Sequence, residues 1–384
     1  MALSPPMLPP AVTIDDPRAL AAAVQRLRGA DRIAIDTESN SLHAYRGRTC
    51  LIQLSTPAED LLIDPLAIAD ISALAPVLAD PAIEKTFHAA EYDLICLKRD
   101  FDFDVRNIFD TMAAARVCGI QRIGLGNMLE DLLGVRHSKK HQKYDWARRP
   151  LPESVRRYAQ VDTHYLLPLR AALIERLQSL DRLEEAREYI ADVTRFEPQS
   201  EEFDPNGFWR LAPPKALNRP EIAVLRELYI LRDELAKSVD HPPPRLIPNK
   251  ALLQIVKMQP RSAEYLYDIR GLPAWLVRQS GDEIVEAVKH GRASRLPVKR
   301  PRPKPVPAPV AERYTALHNW RKATANARGV ESDVIISRRA LWDIARRKPA
   351  SVAELSDICG LGPWRRATYG AELVAIVRGG GQQR

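Results

Sequence analysis

The stretch at 292–310, RASRLPVKRPRPKPVPAPV, constrains this chain more than any other: six prolines, six basic residues and no acid. Proline fixes φ and lacks an N–H, so at this density neither a helix nor a sheet ladder runs through it. The segment reads as an extended, semi-rigid linker over 292–310; its charge can touch phosphates, although a solvated spacer is the plainer reading. A softer break lies at 197–214, where EPQSEEFDPNGFWRLAPP mixes Pro, Gly and acids. The 384 residues therefore divide into three blocks, 11–200, 213–291 and 311–378.

The first block alternates strand and helix signals. Apolar runs at 32–36, 49–55, 60–64 and 83–87 predict strands, and helical patterns cover 19–28, 70–79, 91–99 and a segment from Glu153. A mixed sheet with helices packed against it follows. The other two blocks contain no convincing strand. In 220–238, Leu225, Leu228, Leu231 and Leu235 recur at helical spacing, and shorter helical pieces follow. Both blocks end near a related turn, Arg-Gly-Leu-Pro at 270–273 and Cys-Gly-Leu-Gly-Pro at 359–363, which predicts two copies of one small helical module.

Composition excludes several classes. No run approaches the roughly 20 apolar residues of a membrane span, and the N-terminal Met-Ala-Leu-Ser-Pro-Pro lacks the basic start and apolar core of a secretory signal. Cys50, Cys96, Cys118 and Cys359 form no CxxC pair, which argues against a disulfide framework or cysteine zinc site and for a reducing cytoplasm. Charge is split: residues 1–200 carry 25 Lys+Arg and 29 Asp+Glu, whereas 201–384 carry 32 and 20. A basic half suggests a polyanionic partner, most simply nucleic acid; the bland alternative is solubility. The same split predicts chemistry in 1–200 and affinity in 213–378, with the helical blocks separable from the first.

Asp36 and Glu38 follow the apolar Ile33-Ala34-Ile35. Side chains at i and i+2 of a strand share a face, so the two carboxylates repel unless protons or a hard cation such as Mg²⁺ neutralise them. An acidic turn ending a strand is the ordinary alternative. In SVRRYAQVDTHYLLPL, Val155, Tyr158, Tyr165, Leu166 and Leu169 make an apolar stripe that contains Asp162, one helical turn beyond Tyr158. A carboxylate there is costly unless paired, metal-bound or at the stripe's edge in water. Pro168 should kink or end that helix. Asp93 falls in the first turn of the 91–99 helix, where capping electrostatics alone would favour it. His88 reads as a packed strand-end histidine.

The ordered set Asp36-x-Glu38, Asp93 and Tyr158-x3-Asp162 resembles the tyrosine-bearing branch of the DEDD exonucleases. The flanking IAIDTES, FHAAEYDLICL and YDWARRPLPESVRRYAQVDTHYLLPL are similar to ribonuclease D, and the two helical blocks resemble its HRDC modules. Ser39 departs from the family, which often has an aromatic residue after the acid pair. The resemblance implies an α/β ribonuclease H-like exonuclease domain, with a mixed central sheet and flanking helices, followed by two small all-α HRDC-like domains. It implies a cytoplasmic, monomeric 3′→5′ exoribonuclease acting on single-stranded RNA 3′ ends, tRNA precursors among them. Two divalent ions, Mg²⁺ or Mn²⁺, would be held by Asp36, Glu38, Asp93 and Asp162. By that analogy Asp36 bridges both ions, Glu38 and Asp162 complete one site, Asp93 supports the other, and Tyr158 aims the attacking water.

In the basic stretch 138–150, Lys139, Lys140, Lys143, Arg148 and Arg149 are candidate RNA contacts, against the reading of a solvated surface with one or two true contacts. Tyr45 and Tyr92 are candidates for stacking on terminal bases. Two other classes fit the acid set: a DNA exonuclease, because the sugar-reading groups are not apparent, and a non-catalytic nucleic-acid-binding protein.

Overall fold

The computed structural model describes residues 8–138, 140–195, 202–211, 217–295, 297–298 and 305–379. They form two compact units. One takes in the described parts of 1–38, 49–198 and 304–384; the other takes in those of 39–48 and 199–303.

The first unit is built on a six-stranded sheet: β1 (Val12–Ile14), β2 (Arg32–Ser39), β3 (Thr49–Ser55), β4 (Asp60–Ile63), β5 (Glu84–Phe87) and β6 (Ile108–Asp110), in the order β1-β4-β3-β2-β5-β6. β3 and β4 pair antiparallel; β1–β4, β2–β5 and β5–β6 pair parallel, so the sheet is mixed. Ile33 and Ile35 of β2 face one core with Ile52, Leu54, Leu61 and Leu97. Period-two alternation then sends Ala34, Asp36 and Glu38 to the opposite face. There Cys50, Leu51 and Leu62 pack against Trp146, Val155 and Ala159, the last two on the Glu153–His164 helix.

Sequence patterning located four of the six strands. β1 and β6 have three residues each, too few to show alternation. β2 runs through Ser39, so the acid pair lies within the strand and not at its end. The Glu153–His164 helix breaks at Tyr165 (φ −95°, ψ 0°), and a new helix, Leu166–Ser179, begins at once. That break is what Pro168 requires, because it lacks the N–H that would reach the His164 carbonyl and its ring would collide there.

The third block is not separable from the first. Leu317, Val334, Ile335, Leu341, Ile344 and Leu373 share one continuous core with Val117, Met128, Leu173, Tyr189 and Ile190. Glu185 is fully buried and paired in a two-pronged fashion with Arg328, at 2.7 and 2.5 Å, and the Arg328 guanidinium also meets the Tyr369 hydroxyl. Glu188 accepts from the Trp364 amide at 2.7 Å and from Arg365, itself buried. Gly119, at φ +77°, permits a close backbone approach: a Cβ there would fall 2.6 Å from the Gly329 carbonyl oxygen. Several positive charges in the basic half are therefore internal.

The linker reading also shifts at both ends. Arg292 closes the Ala274–Ala293 helix, and Ala308–Arg328 begins on Pro307 with Pro309 in its first turn, where no intrahelical N–H is missed. Residues 296 and 299–304 lie outside the described residues.

In the second unit, the segment directly after the acid pair packs into the first helical module. The Tyr45 hydroxyl donates to Asp233 at 2.7 Å, its amide donates to Asp240 at 3.0 Å, and its ring packs against that module's core. Within each module the same internal bond recurs: Arg232 to the Ile247 carbonyl at 3.2 Å, Arg321 to the Ile336 carbonyl at 3.1 Å. Gln259 and Lys348 close equivalent helices with left-handed φ of 46° and 50°. One fixed offset in residue number relates every such pair. Among the described residues, no helix is long and apolar enough to cross a membrane.

Candidate active site

Three carboxylates meet on the inner face of the sheet. Oxygens of Asp36 and Glu38 on β2 and of Asp162 on the Glu153–His164 helix lie within 4.8 Å of one another. That helix is tied to the sheet by polar bonds near its end. Thr163 accepts from Ser55 at 2.7 Å, while Gln160 and His164 both reach the buried Asp60, at 2.7 and 2.8 Å. Asp162 is thereby fixed over β2 without depending on its own charge.

Asp93 stands just outside this group of three. Its Oδ1 accepts from the Thr37 amide at 2.9 Å and the Thr37 hydroxyl at 2.6 Å. Thr37 lies between the acids but points to the other face, so β2 grips Asp93 while presenting Asp36 and Glu38. The helix bearing Asp93 (Glu91–Phe101) is set in turn by Asp110, which accepts from the Ala89 and Ala90 amides at 3.2 and 2.8 Å.

Burial and mutual repulsion load this cluster. Asp36 is pushed well above the carboxylate range by burial, then by Asp93, Asp162 and Glu38. Glu38 rises for the same reasons, with Asp162 its strongest neighbour. Burial raises Asp93 to about 7 against the opposing Thr37 bonds, and raises Asp162 against the opposing His137. Four acids that resist ionisation together are a demand for positive charge, and an all-oxygen donor set is what hard divalent cations take. The residues fit such ions by donor chemistry, spacing and burial.

Tyr158 sits one turn before Asp162. Burial, then the charges of Asp162, Glu38 and Asp36, drives its phenol upward, so it remains protonated at neutral pH. Its ring is held by His137 (5.0 Å between centroids), His141 (5.8 Å) and Trp146 (6.2 Å). His137 also places Nε2 2.9 Å from Asp162 Oδ1. Neither Thr37 nor His137 is marked by the motifs: one sits between the two acids, the other one residue before the basic stretch. Only tertiary contact reveals either.

The candidate RNA contacts separate. Lys140, Lys143 and Arg148 are exposed, and Lys139 lies outside the described residues. Arg149 is exposed too, but its guanidinium is fully engaged within the chain: it donates to Asp64 at 2.5 and 2.7 Å and to the carbonyls of Cys50, Trp146 and Arg148. It has no geometry left for phosphate. Tyr45, engaged with Asp233, is likewise unavailable for stacking, whereas Tyr92 is exposed. His88 pairs with the Thr111 hydroxyl at 2.9 Å and joins no acid cluster among the described residues.

A mixed sheet presenting converging acids from a strand and a later helix suits cation-assisted phosphodiester hydrolysis, and the 3'-5' exonuclease family matches residues 11–178. The HRDC domain family matches twice, over 221–288 and 310–377. Ribonuclease D of Gluconacetobacter diazotrophicus is 31% identical over 383 residues, covering 97% of this chain and 94% of that protein. The chain belongs to the ribonuclease D family and is a 3′→5′ exoribonuclease. The exosome complex exonuclease RRP6 of Saccharomyces cerevisiae is 34% identical over 266 residues, 65% of this chain but only 36% of that protein. The fold also matches the crystal structure of Escherichia coli RNase D, with a TM-score of 0.66 and 24% identity over 97% of this chain and 99% of that one.

Proposed function

We propose that the chain hydrolyses RNA one nucleotide at a time from single-stranded 3′ ends, including those of stable RNAs such as tRNA precursors, with two divalent cations held by Asp36, Glu38, Asp162 and Asp93. The convergence of three carboxylates within 4.8 Å carries this reading, because bound cations relieve their repulsion while keeping them ionised. When bound, Mg²⁺ or Mn²⁺ polarises the scissile phosphate and stabilises the departing 3′ oxygen.

The chain's own groups do the rest. Asp36 and Glu38 are fixed by the rigid strand and Asp162 by the Ser55 and Asp60 anchors of its helix, so the cluster is preorganised. Asp93, with Oδ1 engaged by Thr37, keeps its other oxygen for ligation. Tyr158, a neutral phenol beside Asp162, orients the attacking water through its hydroxyl and is not a strong base. Lys140, Lys143 and Arg148 provide a cationic approach for the backbone.

Tyr158→Phe removes only that hydroxyl. It should lower kcat about 10²–10⁴-fold, the range for a positioned proton-transfer group, with KM and metal affinity retained. Steady-state kinetics on a short RNA decide the role; a change confined to KM would make Tyr158 a substrate-binding residue. Cation binding should also appear without catalysis. Mn²⁺ at about 100 times its dissociation constant should stabilise the fold by about 2.7 kcal/mol, read as a rise in melting temperature that Asp36→Asn abolishes.

A further inference from the structure

The two HRDC modules share one fold but differ along one edge. In the second module, the edge after the 3-10 turn Ala353–Asp357 is an internal contact: Leu361 is buried, and Glu188 accepts from the Trp364 and Arg365 amides. Gly362 makes this possible, because a Cβ there would fall 2.2 Å from Glu188 Cδ.

At the same offset in the first module stands Pro273, which carries the Cβ and ring that Gly362 lacks, so this position does not admit a carboxylate in the same way. The neighbouring positions change together. Tyr265 and Tyr267 replace Glu354 and Ser356; Arg261, Arg270 and Arg278 replace Ala350, Cys359 and Ala367. Trp275, the counterpart of Trp364, is 41% exposed, and Tyr265 and Tyr267 are 55% and 53% exposed on either side of the buried Leu266. All three arginines are exposed, accompanied by Glu264 and Asp268, the latter matched by Asp357 in the second module. Large aromatic rings held in water beside exposed arginines suit a ligand with flat faces and negative charge.

We propose that the edge formed by Tyr265, Tyr267 and Trp275, with Arg261, Arg270 and Arg278, is a stacking platform for single-stranded segments of the RNA substrate. The inference rests on the RNA-directed reading above and adds to it a second surface on which the RNA is held. The module duplicated in this chain has thus diverged: one copy's edge holds the catalytic domain together, and the other's holds nucleic acid.

The test uses the full chain. In EDTA, where cleavage is blocked, binding of a 5′-fluorescein-labelled unstructured 20-nucleotide RNA is followed by anisotropy for wild type and Tyr265→Ala/Tyr267→Ala. Stacking predicts a loss of about 10- to 100-fold in affinity. Hydrolysis of a dinucleotide in Mg²⁺, which leaves no base for the platform, should be unchanged. Arg270→Ala, a surface change, should reduce the salt slope of binding by about 0.7, the value for one lost phosphate contact to a single strand, and keeps the proposal testable if the double variant folds poorly. Equal RNA affinities with an unchanged slope would overturn it. So would unchanged RNA affinity with loss of concentration-dependent self-association, which would make the edge a protein interface. If wild type fails to hydrolyse the dinucleotide, the metal-site reading falls, while the binding comparison still decides the platform.

Discussion

Asp36→Asn should reduce 3′ nucleotide release by at least about 10³-fold while leaving the protein folded. The cations are worth several kcal/mol of transition-state stabilisation, and each 1.36 kcal/mol is a factor of ten in rate. Asp36 faces Asp93, Asp162 and Glu38 together, so its loss removes the group on which the cluster converges. The stability effect has the opposite sign. Burial and like charge hold the folded-state pKa of Asp36 above its unfolded value, so its ionised form opposes folding at neutral pH. A neutral amide removes that opposition, and the metal-free variant should melt higher than metal-free wild type. Single-turnover assays with thermal melts in EDTA measure both. A variant that is inactive and also less stable in EDTA would point to misfolding, not to a missing cation ligand.

Arg328→Ala is expected to cost about 3–5 kcal/mol of stability, the penalty for leaving a buried charge without its partner. Glu185 is completely buried and depends on that guanidinium, which also joins Tyr369 of the second HRDC module. Deleting the chain beyond 295 does more harm. It removes the partners of Glu185 and Glu188 and exposes the apolar face formed by Val117, Met128 and Tyr189, which is the larger cost. The truncated protein should therefore aggregate or unfold, whereas a charge-based reading expects a soluble, active enzyme with weaker RNA binding. Chemical denaturation of Arg328→Ala, beside the double variant Arg328→Met/Glu185→Leu, separates the two contributions. The double variant should recover most of the loss, because an apolar pair of similar volume leaves no buried charge behind.

What the sequence could and could not reveal follows from the range of the interactions. Asp36 and Glu38 were legible because strand period two is local, and Asp162 because helical period places it on an apolar stripe. Their mutual approach was not a local property: it depends on Ser55 and Asp60 catching a helix about a hundred residues later in the chain. Arg149 looked like its neighbours Arg148 and Lys143 because composition does not show that Asp64 and three carbonyls encircle it. Glu185 and Glu188 lie on LEEAREYIADV, where no local pattern separates them from the solvated side of an amphipathic helix; they are internal because the second module packs over them. The module repeat was visible in its turns, but the divergence of the two edges required knowing which residues are covered.

The central claim is that these carboxylates act through divalent cations on the 3′ end of RNA. It is tested most directly by following a 5′-labelled single-stranded RNA on a sequencing gel in Mg²⁺, in excess EDTA, and in EDTA followed by excess Mn²⁺. The account predicts a ladder that shortens one nucleotide at a time from the 3′ end in Mg²⁺, no shortening in EDTA, and its return with Mn²⁺. Shortening that persists in EDTA, or internal cuts in place of the ladder, would contradict it.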